Sequence, residues 1–168
     1  KSHLQITNGA SGHSYMEKYP YRKPVDFVGP TSGIDSAYAP FDCKVVKIDA
    51  SQGNMVAFES TNQVYMADGS LGYVTFMLAH DDNISDLYVG KTFSQGSVIY
   101  QEGSTGESSG NHIHVEVAKG RFSTSGDANI WTFVRSQSRA VLPNVVFYLY
   151  PNTTIKATGG YTWKTYNT

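Results

Sequence analysis

Residues 112–117 read His-Ile-His-Val-Glu-Val, an unbroken alternation of polar and apolar side chains. On a β-strand successive side chains point to opposite faces, so Ile113, Val115 and Val117 fall on one side and His112, His114 and Glu116 on the other. The run therefore predicts a strand with one face in a core and the other carrying chemistry. Composition points the same way. Charged residues make up 16% of the 168, while Gly 16, Tyr 12 and Phe 8 give a chain poor in helix formers and rich in strand and turn formers. The expected fold is mainly β: an antiparallel β-sheet core with long loops and at most one or two short helices.

The rest of the chain fits around that strand. Gly9, Gly12, Gly29, Gly33, Pro20, Pro24, Pro30 and Pro40 break up residues 1–40, leaving a loop-like opening with one short strand at Pro24–Val28. Cys43–Ile48 and Met55–Glu59 read as a hairpin around Gly53-Asn54. Tyr73–His80 reads as a longer strand that puts His80 at its end, and Val98–Gln101 as a shorter one. The three-glycine loop 103–110 then delivers the chain into the histidine strand. A helix is expected between about Asn129 and Ser138, from the spacing of Ile130, Trp131, Phe133 and Val134. Val145–Tyr150 reads as a buried strand or clamp, and the tail with Gly159, Gly160 and Trp163 as loop. With no repeat and no linker, 1–168 is expected to be a single domain: a loop-rich opening (1–40), a β core (41–120) and an extension packing on that core (121–168).

Several partners and chemistries are excluded. Lys+Arg 13 against Asp+Glu 14 gives a net charge of -1, so no basic field exists to gather nucleic acid. No apolar run approaches the roughly 20 residues that cross a bilayer, and no membrane partner is expected. The lone Cys43 offers neither an internal disulfide nor a cysteine zinc site; it reads as a small buried hydrophobe. Any metal must be held by His and Asp or Glu. The absence of an initiator Met or a leader before Lys1 suggests a processed chain or a piece of a longer one. Two imidazoles two residues apart on a strand suit two ligands of one metal, or one ligand beside one acid–base group. Two half-exposed histidines on an amphipathic strand are the alternative.

Neighbouring residues weigh against that alternative. Gly103-Ser-Thr-Gly followed by Gly110-Asn-His-Ile-His-Val-Glu-Val resembles the Gly-x-Thr-Gly…Gly-Pro-His-Leu-His-Phe-Glu-Val signature of lysostaphin-type (LytM-like) zinc endopeptidases, with Asn111 in place of Pro. Leu78-Ala79-His80 is similar to that family's Tyr-Ala-His, and Pro24-Val25-Asp26-Phe27 to its Gly-x-Asp-Phe. Tyr38-Ala39-Pro40-Phe41 and Val89-Gly90…Gln95-Gly96-Ser97-Val98-Ile99 also match its pattern, so the resemblance spans about Ile6 to Gly120. The stretch Gly33-Ile34-Asp35 and the carboxyl-terminal Gly-Gly-Tyr-x-Trp resemble the versions carried by bacteriophage endolysins or tail-tip lysins.

The resemblance implies one zinc ion per chain, peptidoglycan as substrate, and action outside the cell or on the virion, with other domains or subunits of a phage lysin or tail protein as further partners. It implies Asp26 and His114 as metal ligands and His80 and His112 as the catalytic pair; Glu116, which shares their face, is expected to orient the site rather than bind the metal, or else to be a solvated strand residue. Three protein ligands leave the fourth tetrahedral position open. The first ligand departs from the pattern: the family's usual His stands four residues before the Asp, where this chain has Arg22, a cation that cannot bind zinc. His13 is the expected replacement, through a lengthened loop, with His3 read as a surface residue. Loss of the metal, leaving a cell-wall-binding or structural relative, is the competing reading. Tyr15, Tyr19 and Tyr21 either line a peptide groove or pin that loop. Asp81-Asp82-Asn83 lacks the spacing of a calcium loop and reads as a turn.

Overall fold

A computed structural model of the chain describes residues 5–8, 13, 21–29, 31–66, 69–122, 126, 129–143 and 156–157. Its strands are β1 (Gln5–Asn8), β2 (Val25–Val28), β3 (Ser36–Tyr38), β4 (Cys43–Asp49), β5 (Met55–Ser60), β6 (Val64–Tyr65) and β7 (Leu71–Gly72). They continue with β8 (Val74–Ala79), β9 (Thr92–Phe93), β10 (Val98–Gln101), β11 (Ile113–Lys119), β12 (Ala140–Val141) and β13 (Lys156–Ala157). One helix, α1 (Ile130–Val134), lies between β11 and β12. The architecture is mainly β, as the composition and strand pattern require. No helix among the described residues is long and apolar enough to cross a membrane.

Nine strands form the main sheet, in the order β13-β1-β2-β11-β8-β5-β4-β9, with β12 also pairing β11. Every pairing in it is antiparallel except β1 with β13. The pairs β3–β10 and β6–β7 stand outside it. Alternation along the strands sorts side chains onto two faces. Val25, Phe27, Val56, Phe58, Phe76, Leu78, Ile113, Val115 and Val117 face one core, where the Phe58 and Phe76 rings stack 5.2 Å apart. Met55, Ala57, Met77, Ala79 and Ala118 face a second, closed by Ile130, Phe133 and Val134 of α1. Asp26 of β2 and His114 and Glu116 of β11 alternate onto this second face, with the helix.

The helix is shorter than its apolar spacing suggests. Asn129 caps it by accepting from the Thr132 N–H at 2.8 Å, while the Thr132 hydroxyl accepts from the Asn129 N–H, a reciprocal capping box. It stops at Val134, because the chain must turn back for Ala140 and Val141 to pair beside Val117 and Ala118. The opening segment holds more strand than its glycines and prolines suggest, with β1 and β3 as well as β2. Both additions are three or four residues long and depend on pairing with β2 and β10, so no local pattern announces them. Val145–Tyr150, the Gly159–Trp163 tail, His3, Tyr15 and Tyr19 lie outside the described residues.

Candidate metal centre

Cross-strand register creates the site. His114 on β11 pairs directly opposite Asp26 on β2, and both point to the helix-bearing face. Neighbours of this kind have Cβ atoms about 5 Å apart, close enough for their side chains to bond. His114 Nδ1 lies 2.9 Å from Asp26 Oδ1. On the other carboxylate oxygen, His13 Nε2 stands 3.3 Å from Asp26 Oδ2, with 9% of the His13 side chain exposed. One donor atom from each of His13, Asp26 and His114 lies within 4.8 Å of the others. Two imidazoles and a carboxylate on this spacing are a donor set suited to zinc, which takes nitrogen and oxygen ligands in a tetrahedral shell.

The other two sequence-selected histidines lie beside this cluster. The His80 and His112 rings are 4.6 Å apart, and His80 lies 5.9 Å from His114. His112 Nε2 is 3.7 Å from Asp26 Oδ1. Each ring is held through Nδ1 by a backbone carbonyl, His80 by Thr105 at 2.8 Å and His112 by Gly110 at 2.8 Å. A carbonyl only accepts, so Nδ1 carries a proton in both, and the neutral tautomer of either ring has its lone pair on Nε2.

Local backbone explains how His80 reaches its position. It follows β8 with φ of 90°, uncommon for a residue with a side chain, and its N–H donates to the Gly53 carbonyl at 2.7 Å. Gly53 itself has φ of 67°; a side chain there would also crowd the His80 ring. The Gly103–Gly106 loop closes over the other side, with Asp82 accepting from the Ser104 N–H and the Thr105 hydroxyl. A Cβ at Gly103 would sit 2.2 Å from the His80 carbonyl oxygen. The glycines of this motif therefore serve a close approach of two backbones.

Glu116 touches the cluster from behind. Its Oε1 accepts from His114 Nε2 at 3.0 Å, and its side chain is 1% exposed. Arg135, just past α1, donates to the same carboxylate from Nε at 3.0 Å to each oxygen and from Nη2 at 2.6 Å to Oε1. Burial alone would raise the Glu116 carboxyl, but His114 and Arg135 outweigh it and hold it at about 2. Burial would lower the His114 imidazole; Asp26 and Glu116 overcome that and lift it to about 9. Asp26, likewise pushed up by burial, is held well below the usual carboxylate range by His114 and His13. Burial is the largest influence on His80 and lowers its imidazole, against the Thr105 hydrogen bond.

All six residues selected from sequence, His13, Asp26, His80, His112, His114 and Glu116, thus meet on one face. Arg135 was not among them: no motif marks an arginine that reaches the site only through tertiary packing. Arg22 lines a depression with Tyr21, Trp131 and Arg135, on the α1 side. Cys43 is fully buried, its thiol pushed up to about 12 by desolvation and by Asp42. The Asp81 carboxylate accepts from the Asn83 N–H, as a turn requires, and from the Gln101 N–H at the end of β10.

No known family profile matches the sequence. Morphogenesis protein 1 of Bacillus phage B103 is 34% identical over 118 residues, covering 70% of this chain and 30% of that protein. The chain thus spans under a third of that relative's length. Among solved structures, the catalytic domain of lysostaphin from Staphylococcus simulans aligns with a TM-score of 0.45 at 22% identity, covering 76% of this chain and 83% of its own. The catalytic domain of a single-site mutant of the prophage-encoded M23 protein EnpA from Enterococcus faecalis gives 0.46 at 20%, covering 71% and 74%. A zinc-containing peptidase from Vibrio cholerae gives 0.46 at 22%, covering 68% and 33%.

Proposed function

We propose that this protein is a zinc-dependent endopeptidase that hydrolyses peptide bonds in the stems or cross-bridges of bacterial peptidoglycan, as a phage lytic or tail-associated module acting outside the cell or on the virion. The observation that carries the reading is the meeting of His13, Asp26 and His114 beside a pair of histidines whose tautomers are both set by backbone carbonyls. His13, Asp26 and His114 would hold the ion. Zinc, when bound, supplies Lewis-acid polarisation of a carbonyl and activation of water. The chain's own residues do the rest. In its neutral form His80 or His112 presents Nε2 as a proton acceptor, and burial lowers the His80 imidazole, which favours that form. The partner ring, once protonated, presents an Nε2–H to the developing oxyanion. Glu116 accepts the His114 Nε2–H, and Nδ1, which lies 2.9 Å from Asp26 Oδ1, would take the ion in place of its proton.

A second reading, a metal-free wall-binding or structural component, draws on Arg22 at the position where the resembled family has its first ligand. The placement of His13 against Asp26 favours the enzyme. The likeness to a phage morphogenesis protein supports the virion setting. Digestion of purified cell walls of several chemotypes, with mass spectrometry of the released fragments, tests the reading: new peptide termini are expected with zinc present. Walls bound but left uncut under all metal conditions would favour the second reading.

A further inference from the structure

We propose that Arg135 is a positioning residue of the metal centre, so that the end of α1, beyond the Ile6–Gly120 span of the lysostaphin-type resemblance, forms part of the site. The inference rests on reading His13, Asp26 and His114 as metal ligands. Glu116 Oε1 takes the His114 Nε2–H at 3.0 Å and at the same time receives Arg135 Nη2 at 2.6 Å, while Arg135 Nε lies 3.0 Å from both carboxylate oxygens. A fork of this kind fixes the plane of a carboxylate as well as its position. Because an ionised carboxylate only accepts, Glu116 keeps a proton on His114 Nε2, so that Nδ1, which faces Asp26, is the nitrogen that would exchange its proton for a metal.

The guanidinium is itself held. Its carbon lies 4.2 Å from the centre of the Trp131 ring, one turn earlier on α1. The helix is anchored by Ile130, Phe133 and Val134 in the second core. Beyond Arg135 the chain is tied to β11 again, by the Lys119 N–H to the Arg139 carbonyl at 2.9 Å and by β12. The salt bridge thus ends on the carboxylate oxygen that takes the His114 Nε2–H, on the ring edge opposite the Nδ1 that faces Asp26.

The test is zinc affinity of the full chain, measured by competition with a chromophoric chelator, together with the His114 Nε2–H signal in long-range proton–nitrogen NMR. Arg135→Gln should stay folded, weaken zinc about 10- to 100-fold, and let that proton exchange with water. Arg135→Lys, which returns the charge without the fork, should recover only part of the affinity. A folded Arg135→Gln with wild-type zinc affinity and a protected Nε2–H overturns the proposal. So does failure of both variants to fold, since Arg135 would then serve the fold itself. Wild-type protein that takes up no zinc would instead sink the metal-centre reading beneath it.

Discussion

Adding a single methyl group at Gly103 should disable the proposed catalytic pair, His80 and His112, without touching the proposed metal ligands. A Cβ at this position falls 2.2 Å from the His80 carbonyl oxygen, 2.7 Å from the Asp82 nitrogen and 2.9 Å from the Asp81 Cα. Ordinary contact begins at 3.4 Å, and all three neighbours are backbone, so the strand end carrying His80 must retreat by roughly 1 Å. Gly103 is also bridged to His112 through His112 N–H to Gly103 C=O at 3.1 Å and the reverse bond at 3.3 Å. The retreat therefore separates His80 from His112. Overpacking of this kind costs about 1–3 kcal/mol of stability, and a 1 Å misplacement of a reacting group costs about 10²-fold in rate. Asp26 and His114, paired across β2 and β11, should keep their ion. Initial rates on purified peptidoglycan, zinc content and thermal unfolding would be compared with Gly110→Ala, where a Cβ meets nothing within 4 Å although the Gly110 carbonyl also holds His112. Wild-type rate in Gly103→Ala, or equal losses in both variants, would refute the reasoning.

Other consequences follow from the same geometry. His80→Ala and His112→Ala should retain zinc and lose hydrolysis by about 10²-fold or more, the scale of a positioned acid or base; a folded but metal-free variant would make that residue a ligand. In the metal-stripped protein, Glu116 held at about 2 against an ordinary 4.5 contributes stability that is present above pH 4.5 and lost as pH falls toward 2. His114 raised from 6.5 to about 9 contributes stability that is full below pH 6.5 and lost as pH rises through 9. Thermal unfolding of metal-stripped protein should thus show its highest midpoint between about pH 4.5 and 6.5, with the alkaline decline absent in His114→Ala; an alkaline decline unchanged in that variant would contradict the assignment.

Much of the site was legible in the sequence because it is built on strands. The two-residue period from His112 to Glu116 shows which side chains share a face, and the turn residues around Tyr73–His80 and Gly53-Asn54 mark where strands end. Those signals are local, and the structure keeps them. What brings Asp26 opposite His114 is register between strands 88 positions apart, which the resemblance anticipated and the spacing alone did not. Arg135 was hidden for a related reason: the helix that ends just before it has five residues and owes its place to packing of Ile130, Phe133 and Val134. The short strands β1 and β3 were missed because their stability comes from distant partners rather than from their own residues.

The central claim is that one ion, held by His13, Asp26 and His114, makes this chain a hydrolase of peptidoglycan. Hydrolysis by metal-stripped protein, followed as zinc is returned, tests it most directly. The rate should start near zero and rise to a plateau at one equivalent of zinc per chain. Undiminished hydrolysis without metal, or none at any zinc level, would contradict it.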